Sequence, residues 1–266
     1  MDAEFPASQT WGRALAGWGV PQEILDQAPR SPWIMPLSLF RVSEGAGPTD
    51  SPSHRRALEA LPVGGSVLDV GCGGGRAALG LTPPAGRLIG VDERPAMLRA
   101  FAEAAAARGV VHQEIDGRWP EAAERTPDAD VVVCHHVAYN VGDLRPFVLA
   151  LATRARQRVV LELSGQHPLA YLSPLWERFW GLARPHGPTA DDALDVLREA
   201  GLPARMDLWD DPAAHREAGL PLAEQVEIVR IRLCLPADRD DEIADALRVL
   251  PPRSPRPTAT IWWDAG

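Results

Sequence analysis

From Ser66 onward the chain alternates short apolar runs with helical stretches, joined by brief connections. The runs Ser66–Val70, Arg87–Val91, Val110–Ile115, Asp130–Cys134, Arg158–Leu163 and Ala204–Trp209 read as strands, and Thr258–Trp263 closes the chain as another. Asp130–Cys134 is too apolar for a half-exposed strand, so it is covered on both faces. Helices are expected over Gly75–Gly80, Pro95–Arg108, Leu144–Ala155 with Asp143 as its cap, and from Thr189 to Gly201. Residues 213–250 read as helical, although Val226–Leu235 fits a strand equally well. This alternation predicts a doubly wound, mostly parallel seven-stranded α/β sheet with helices on both faces and an antiparallel last strand. Ligands then bind outside the carboxyl ends of the strands. Residues 1–62 are expected to form a helical N-terminal cap, anchored by Trp11, Trp18, Trp33, Met35, Leu37 and Phe40, with Ser53 capping a helix to Leu61. Residues 63–266 form the α/β domain, carrying cap insertions near 165–188 and 211–256.

Charge and composition exclude several function classes. The 266 residues carry a formal charge of −9, which argues against a nucleic-acid backbone as partner. No apolar run approaches the ~18 residues of a membrane span, and the acidic, proline-containing start is not a signal peptide, so a cytoplasmic protein without membrane partners is expected. All 27 basic residues are arginine. Without lysine there is neither a P-loop nor a Schiff base. Cys72, Cys134 and Cys234 are too widely spaced for a zinc site, so no metal is expected.

The turn after the first strand reads Val67-Leu-Asp-Val-Gly-Cys-Gly-Gly-Gly-Arg76. A dinucleotide fingerprint, counted from Gly71, requires glycine where Arg76 stands; counted from Gly73, it requires glycine where Ala78 stands. The pattern is instead D-x-G-x-G-x-G. A carboxylate ahead of the turn repels a pyrophosphate and suits a ligand with positive charge. Asp92, ending the second strand, is placed to accept two ribose hydroxyls, a feature that a nicotinamide cofactor shares.

These residues, with Leu88-Ile-Gly-Val-Asp-Glu-Arg-Pro-Ala-Met-Leu-Arg-Ala-Phe101, Asp116 and Asp128-Ala-Asp-Val-Val-Val-Cys-His-His-Val-Ala-Tyr-Asn-Val141, resemble the class I S-adenosylmethionine-dependent methyltransferases over about 64–210. The resemblance implies that Asp69, Gly71, Cys72 and Gly73 hold the methionine part of the cofactor S-adenosylmethionine. It assigns the ribose to Asp92, the border of the adenine to Glu93 or Arg94, and the surroundings of the adenine amino group to Asp116 and Gly117. Cys134, His135 and His136 would line the sulfonium.

Methyl transfer is an in-line displacement in which alignment does most of the work, and a base is needed only for an acceptor protonated at neutral pH. His135 and His136 are the candidate catalytic residues, with Tyr139, Asn140, Glu162, Ser164, His167 and His186 nearby in the chain order. His54, His112 and His215 read as surface or helix residues. Trp176 and Trp180 share a helix face, either as lobe core or as an aromatic cap over the acceptor. The expected activity is methylation of a small-molecule acceptor. Two alternatives stay open: an NAD-dependent oxidoreductase, against which Asp69 and Arg76 stand, and a non-catalytic S-adenosylmethionine-binding protein. Acceptor identity, the atom methylated and oligomeric state are not set by these residues.

Overall fold

The computed structural model describes residues 6–32, 50–211, 220–250 and 257–266. Trp33, Met35, Leu37, Phe40 and His215 lie outside them. Seven strands, β1 (Ser66–Val70), β2 (Arg87–Asp92), β3 (Val111–Asp116), β4 (Ala129–His135), β5 (Ala155–Ser164), β6 (Arg205–Asp210) and β7 (Pro257–Asp264), form one sheet in the order β3-β2-β1-β4-β5-β7-β6. Strands β1 to β5 pair in parallel and β7 runs antiparallel to both β5 and β6. The order reverses between β1 and β4, which is the switch point where doubly wound sheets bind ligands.

Strand parity assigns the two faces. Leu68 and Val70 of β1 with Val132 and Cys134 of β4 join one core beneath α1 (Ala7–Ala16), α6 (Leu144–Arg154) and α8 (Ala190–Glu199). Val67, Val131, Val133, Val160 and Trp262 join the other, against α3 (Pro52–Ala60), α4 (Arg76–Leu79) and α5 (Pro95–Ala107). Helix α3 packs directly on β4, β5 and β7, although the sequence groups it with the N-terminal segment. Its cap is Ser51, whose side chain accepts from the His54 N–H, and not Ser53. Ser53, the second residue of the helix, is buried and hydrogen-bonded to Thr260 of β7 at 2.6 Å. Asp143 precedes α6 without a side-chain capping bond. Thr189 opens α8 through a reciprocal capping box with Asp192.

A third, separate core belongs to a helical lobe of α2 (Gln22–Leu25), α7 (Ser173–Trp180), α9 (Leu222–Arg232) and α10 (Asp240–Val249). Val226–Leu235, which fitted a strand equally well, is thus mostly helix. Its apolar residues Val226, Val229 and Leu233 recur at helical spacing and bury against α7 and α10. The insertions that carry the lobe follow β5 and β6, both of which end on the same edge of the sheet.

Candidate functional site

The glycines of the first turn do different jobs. Gly71 (φ +69°) lies where a Cβ would stand 2.4 Å from Val137 Cγ2, so the turn presses on the segment after β4. Gly75 (φ +86°) packs on Phe101 and Leu79. At Gly73 (φ +51°) nothing stands within 4 Å of a Cβ position, which leaves the backbone open to close approach. Gly71→Ala is therefore expected to destabilise the protein by about 2–3 kcal/mol, from left-handed backbone plus overpacking, against about 1 kcal/mol for Gly73→Ala. Urea denaturation of the two variants checks the order.

Asp92 ties the turn to β2. Its Oδ2 accepts from the Gly73 N–H at 3.0 Å and its Oδ1 from the Arg94 N–H at 2.9 Å. Each carboxylate oxygen retains a second lone pair. Glu93 is exposed and pairs with Arg118 at 3.3 Å. Beyond β3, the Asp116 carbonyl accepts from Arg125, and Gly117 donates its N–H to the Asp92 carbonyl at 3.1 Å. The ends of β1, β2 and β3 thus converge as their order in the sequence suggests.

Asp69 is placed differently from the sequence expectation. Parity turns its side chain to the α4 face, where it is 1% exposed and Oδ2 accepts from the Ala78 N–H at 3.2 Å. It braces α4 from beneath the turn. Burial raises its pKa to about 7, the Asp92 charge adds to that, and the Ala78 bond opposes it. Cys72 is also buried, with Sγ packed on Gly90 and its thiol pKa pushed up by burial. Cys134 is fully buried in the α6 and α8 core, its thiol likewise raised, so only its backbone reaches the strand end.

At the ends of β4 and β5, His135 and Glu162 are register partners on the α3 face. Glu162 Oε1 lies 3.1 Å from His136 Nε2 and 3.7 Å from His135 Nδ1. The carboxylate is buried, which by itself raises its pKa; the His135 and His136 imidazoles and hydrogen bonds from His136 and Ser53 outweigh burial and hold it at about 2. Burial lowers the proton affinity of His135, and its Nε2 has no hydrogen-bond partner among the described residues. His54, read as a surface or helix residue, is a buried residue of helix α3 near this cluster, and burial lowers its proton affinity too. Ser53, His54 and Thr260 are site neighbours that sequence reading missed: α3 and β7 reach the β4 end only through packing, and no local motif marks them.

Tyr139 is structural. Its hydroxyl donates to the Ser164 carbonyl at 2.7 Å, and its ring stacks on Trp11 at 5.5 Å and meets His167 edge-on. His167 in turn stacks on Trp18 at 3.8 Å. Of the two readings of the tryptophans, the core reading holds for Trp176, which is buried in the lobe core. The Arg184 guanidinium lies 5.1 Å from both the Trp18 and Trp176 rings, so the cation that these rings face comes from the chain itself. Trp180 donates to the Leu233 carbonyl at 2.7 Å. Asn140 and Arg76 are exposed. Among the described residues no group of three or more His, Cys, Asp or Glu is placed to hold a metal, and no helix is long and apolar enough to cross a membrane.

Residues 67–157, which run from β1 through the glycine turn to the start of β5, match the family model described as a methyltransferase domain. This segment resembles a methyltransferase domain. No curated protein matches the whole sequence at a significant level. Among solved structures, the YcgJ protein from Bacillus subtilis is 19% identical with a TM-score of 0.54, and the match covers 80% of this chain and 97% of that one. Coclaurine N-methyltransferase bound to N-methylheliamine and SAH is 12% identical with a TM-score of 0.52, covering 96% and 93%. At these identities the likeness is one of fold. The matched segment holds β1 to β4, the glycine turn and both histidines, and α3, β6, β7 and the lobe lie outside it.

Proposed function

We propose that the protein is an S-adenosylmethionine-dependent methyltransferase that acts on a small-molecule acceptor. The observation that carries this reading is the pairing of an open Gly73 backbone with Asp92, both carboxylate oxygens of which already organise the turn and keep a lone pair for a diol. Asp92 would take the ribose hydroxyls, Gly71 and Gly73 the amino-acid part, and Glu93, Asp116 and Gly117 the adenine edge. Asp69 acts indirectly, by holding α4 and hence the turn. His135 and His136 lie at the switch-point end of β4, beside the turn that Val137 touches.

When bound, the cofactor supplies a methyl carbon on a positively charged sulfur. The chain's own contribution is to align an acceptor against that carbon and keep water out, which can account for about 7–11 kcal/mol of the barrier. The helical lobe, entered from the carboxyl-end edge of β5 and β6, is the part of the chain suited to cover an acceptor there. The acidic charge of −9 favours a small molecule over nucleic acid. Isothermal calorimetry with S-adenosylhomocysteine tests the reading: saturable one-site binding is expected, and absence of binding would overturn it.

A further inference from the structure

We propose that Glu162 is a positioning residue that holds the His136 imidazole as the proton-accepting group, so that the acceptor is a small molecule that loses an O–H or ammonium proton on methylation. This rests on the methyltransferase reading and chooses between two adjacent histidines. His135 is turned under α3, beside His54, with Nε2 buried. His136 has its side chain 57% exposed at the mouth of the cluster, while its Nε2 reaches Glu162 Oε1.

Its backbone is unusual as well. His136 has φ +60°, one of two described non-glycine residues with positive φ, and its N–H donates to the Glu162 carbonyl at 2.7 Å. A histidine held left-handed, tied by backbone and ring to one residue of the next strand, is a strained arrangement of the kind that concentrates at functional sites. Glu162 is itself braced, by the Ser53 hydroxyl from α3, which also meets Thr260 of β7; Trp209 of β6 donates to Thr260 at 3.0 Å. Among the described residues, the titratable groups that face the pair include His135 on β4 and His54 on α3, and β7 and β6 contribute the neutral Thr260 and Trp209.

With Nε2–H donated to Glu162, Nδ1 is the basic nitrogen of the neutral ring. The acceptor's heteroatom bonds to the methyl carbon as the carbon–sulfur electron pair returns to sulfur, leaving a neutral thioether. The acceptor's proton passes to His136, whose imidazolium is stabilised by the Glu162 carboxylate and then discharges to solvent. No further reactant is required.

The first measurement is histidine-ring NMR titration of the full chain without donor. Glu162→Gln is expected to lower the His136 proton affinity at least about tenfold; an unchanged titration overturns the positioning role. The second follows labelled methyl transfer from S-adenosylmethionine to a set of small phenols, alcohols and amines from about pH 6 to about pH 9. The wild-type rate is expected to rise with pH through the His136 titration, and Glu162→Gln to shift that profile to lower pH. His136→Asn, whose side chain tolerates left-handed backbone, is expected to fold, flatten the profile and lose about 100-fold in rate. Profiles unchanged in both variants overturn the proposal, as does transfer to none of these acceptors by a protein that still binds S-adenosylhomocysteine. Failure of the wild type to bind S-adenosylhomocysteine would instead overturn the function reading.

Discussion

Asp92→Ala is expected to weaken S-adenosylhomocysteine binding by about 100-fold or more. The carboxylate has two tasks, and alanine removes both. Toward the ligand it would lose two charge-assisted hydrogen bonds to the ribose, and about 3 kcal/mol from this pair is a conservative value. Toward the protein it would leave the Gly73 and Arg94 N–H groups without their acceptor, so the turn loosens before any ligand arrives. Asp92→Asn keeps one oxygen as acceptor but loses the charge, and about a tenfold loss is expected. Calorimetry on the three proteins, each with a thermal melt, separates the contributions. Affinity within threefold of wild type in Asp92→Ala would sink the ribose assignment, whatever the melt shows.

Asp69→Asn is expected to stabilise the protein at pH 8 by up to about 4 kcal/mol relative to wild type and to leave it nearly unchanged at pH 4. The folded Asp69 carboxyl has its pKa raised from 3.8 to about 7 because the side chain is sealed under the turn. The unfolded chain gives up this proton near pH 4 and the folded chain only near pH 7. Between those values the native state binds more protons, so wild-type stability falls as pH rises, and the Asp69 contribution is fully present below about pH 4 and lost above about pH 7. Asparagine carries no charge to bury and its side-chain oxygen can still accept from the Ala78 N–H. Urea denaturation of both proteins across this range gives the difference directly. A difference that does not grow between pH 4 and pH 8 would contradict the buried carboxyl. The same experiment on Glu162→Gln should run the other way: a carboxyl held at about 2 contributes stability present above the ordinary carboxylate range and lost as the pH falls toward about 2.

The parts of the site that were legible in the sequence are those where side-chain direction follows from local pattern. Asp92 could be read because it ends a strand, and the end of the second strand in a doubly wound sheet faces the ligand edge. The glycine turn could be read because D-x-G-x-G-x-G excludes the dinucleotide spacing at Arg76 and Ala78. The direction of the Asp69 side chain was not legible. A carboxylate ahead of the turn could reach over it or beneath it, and pleat parity together with the first turn of α4 sent it beneath. The cap at Ser51 was missed in favour of Ser53 for a similar reason: both are serines near the helix start, and only contact with Thr260 tells which one is inside.

The sequence by itself determined the alternation of strand and helix, the parallel sheet that alternation requires, the chemistry of the turn and the acid at the end of β2. These are short-range properties, set by periodicity of two or 3.6 and by backbone angles that few residues tolerate. Tertiary structure decided which of the two histidines lies at hydrogen-bond distance from the carboxylate, that Ser53 and His54 of α3 stand behind them, and that Arg184 lies against both Trp18 and Trp176. Most of those contacts join segments far apart in the chain. Their partners are chosen by which helix packs on which face, a choice that residue order does not encode locally.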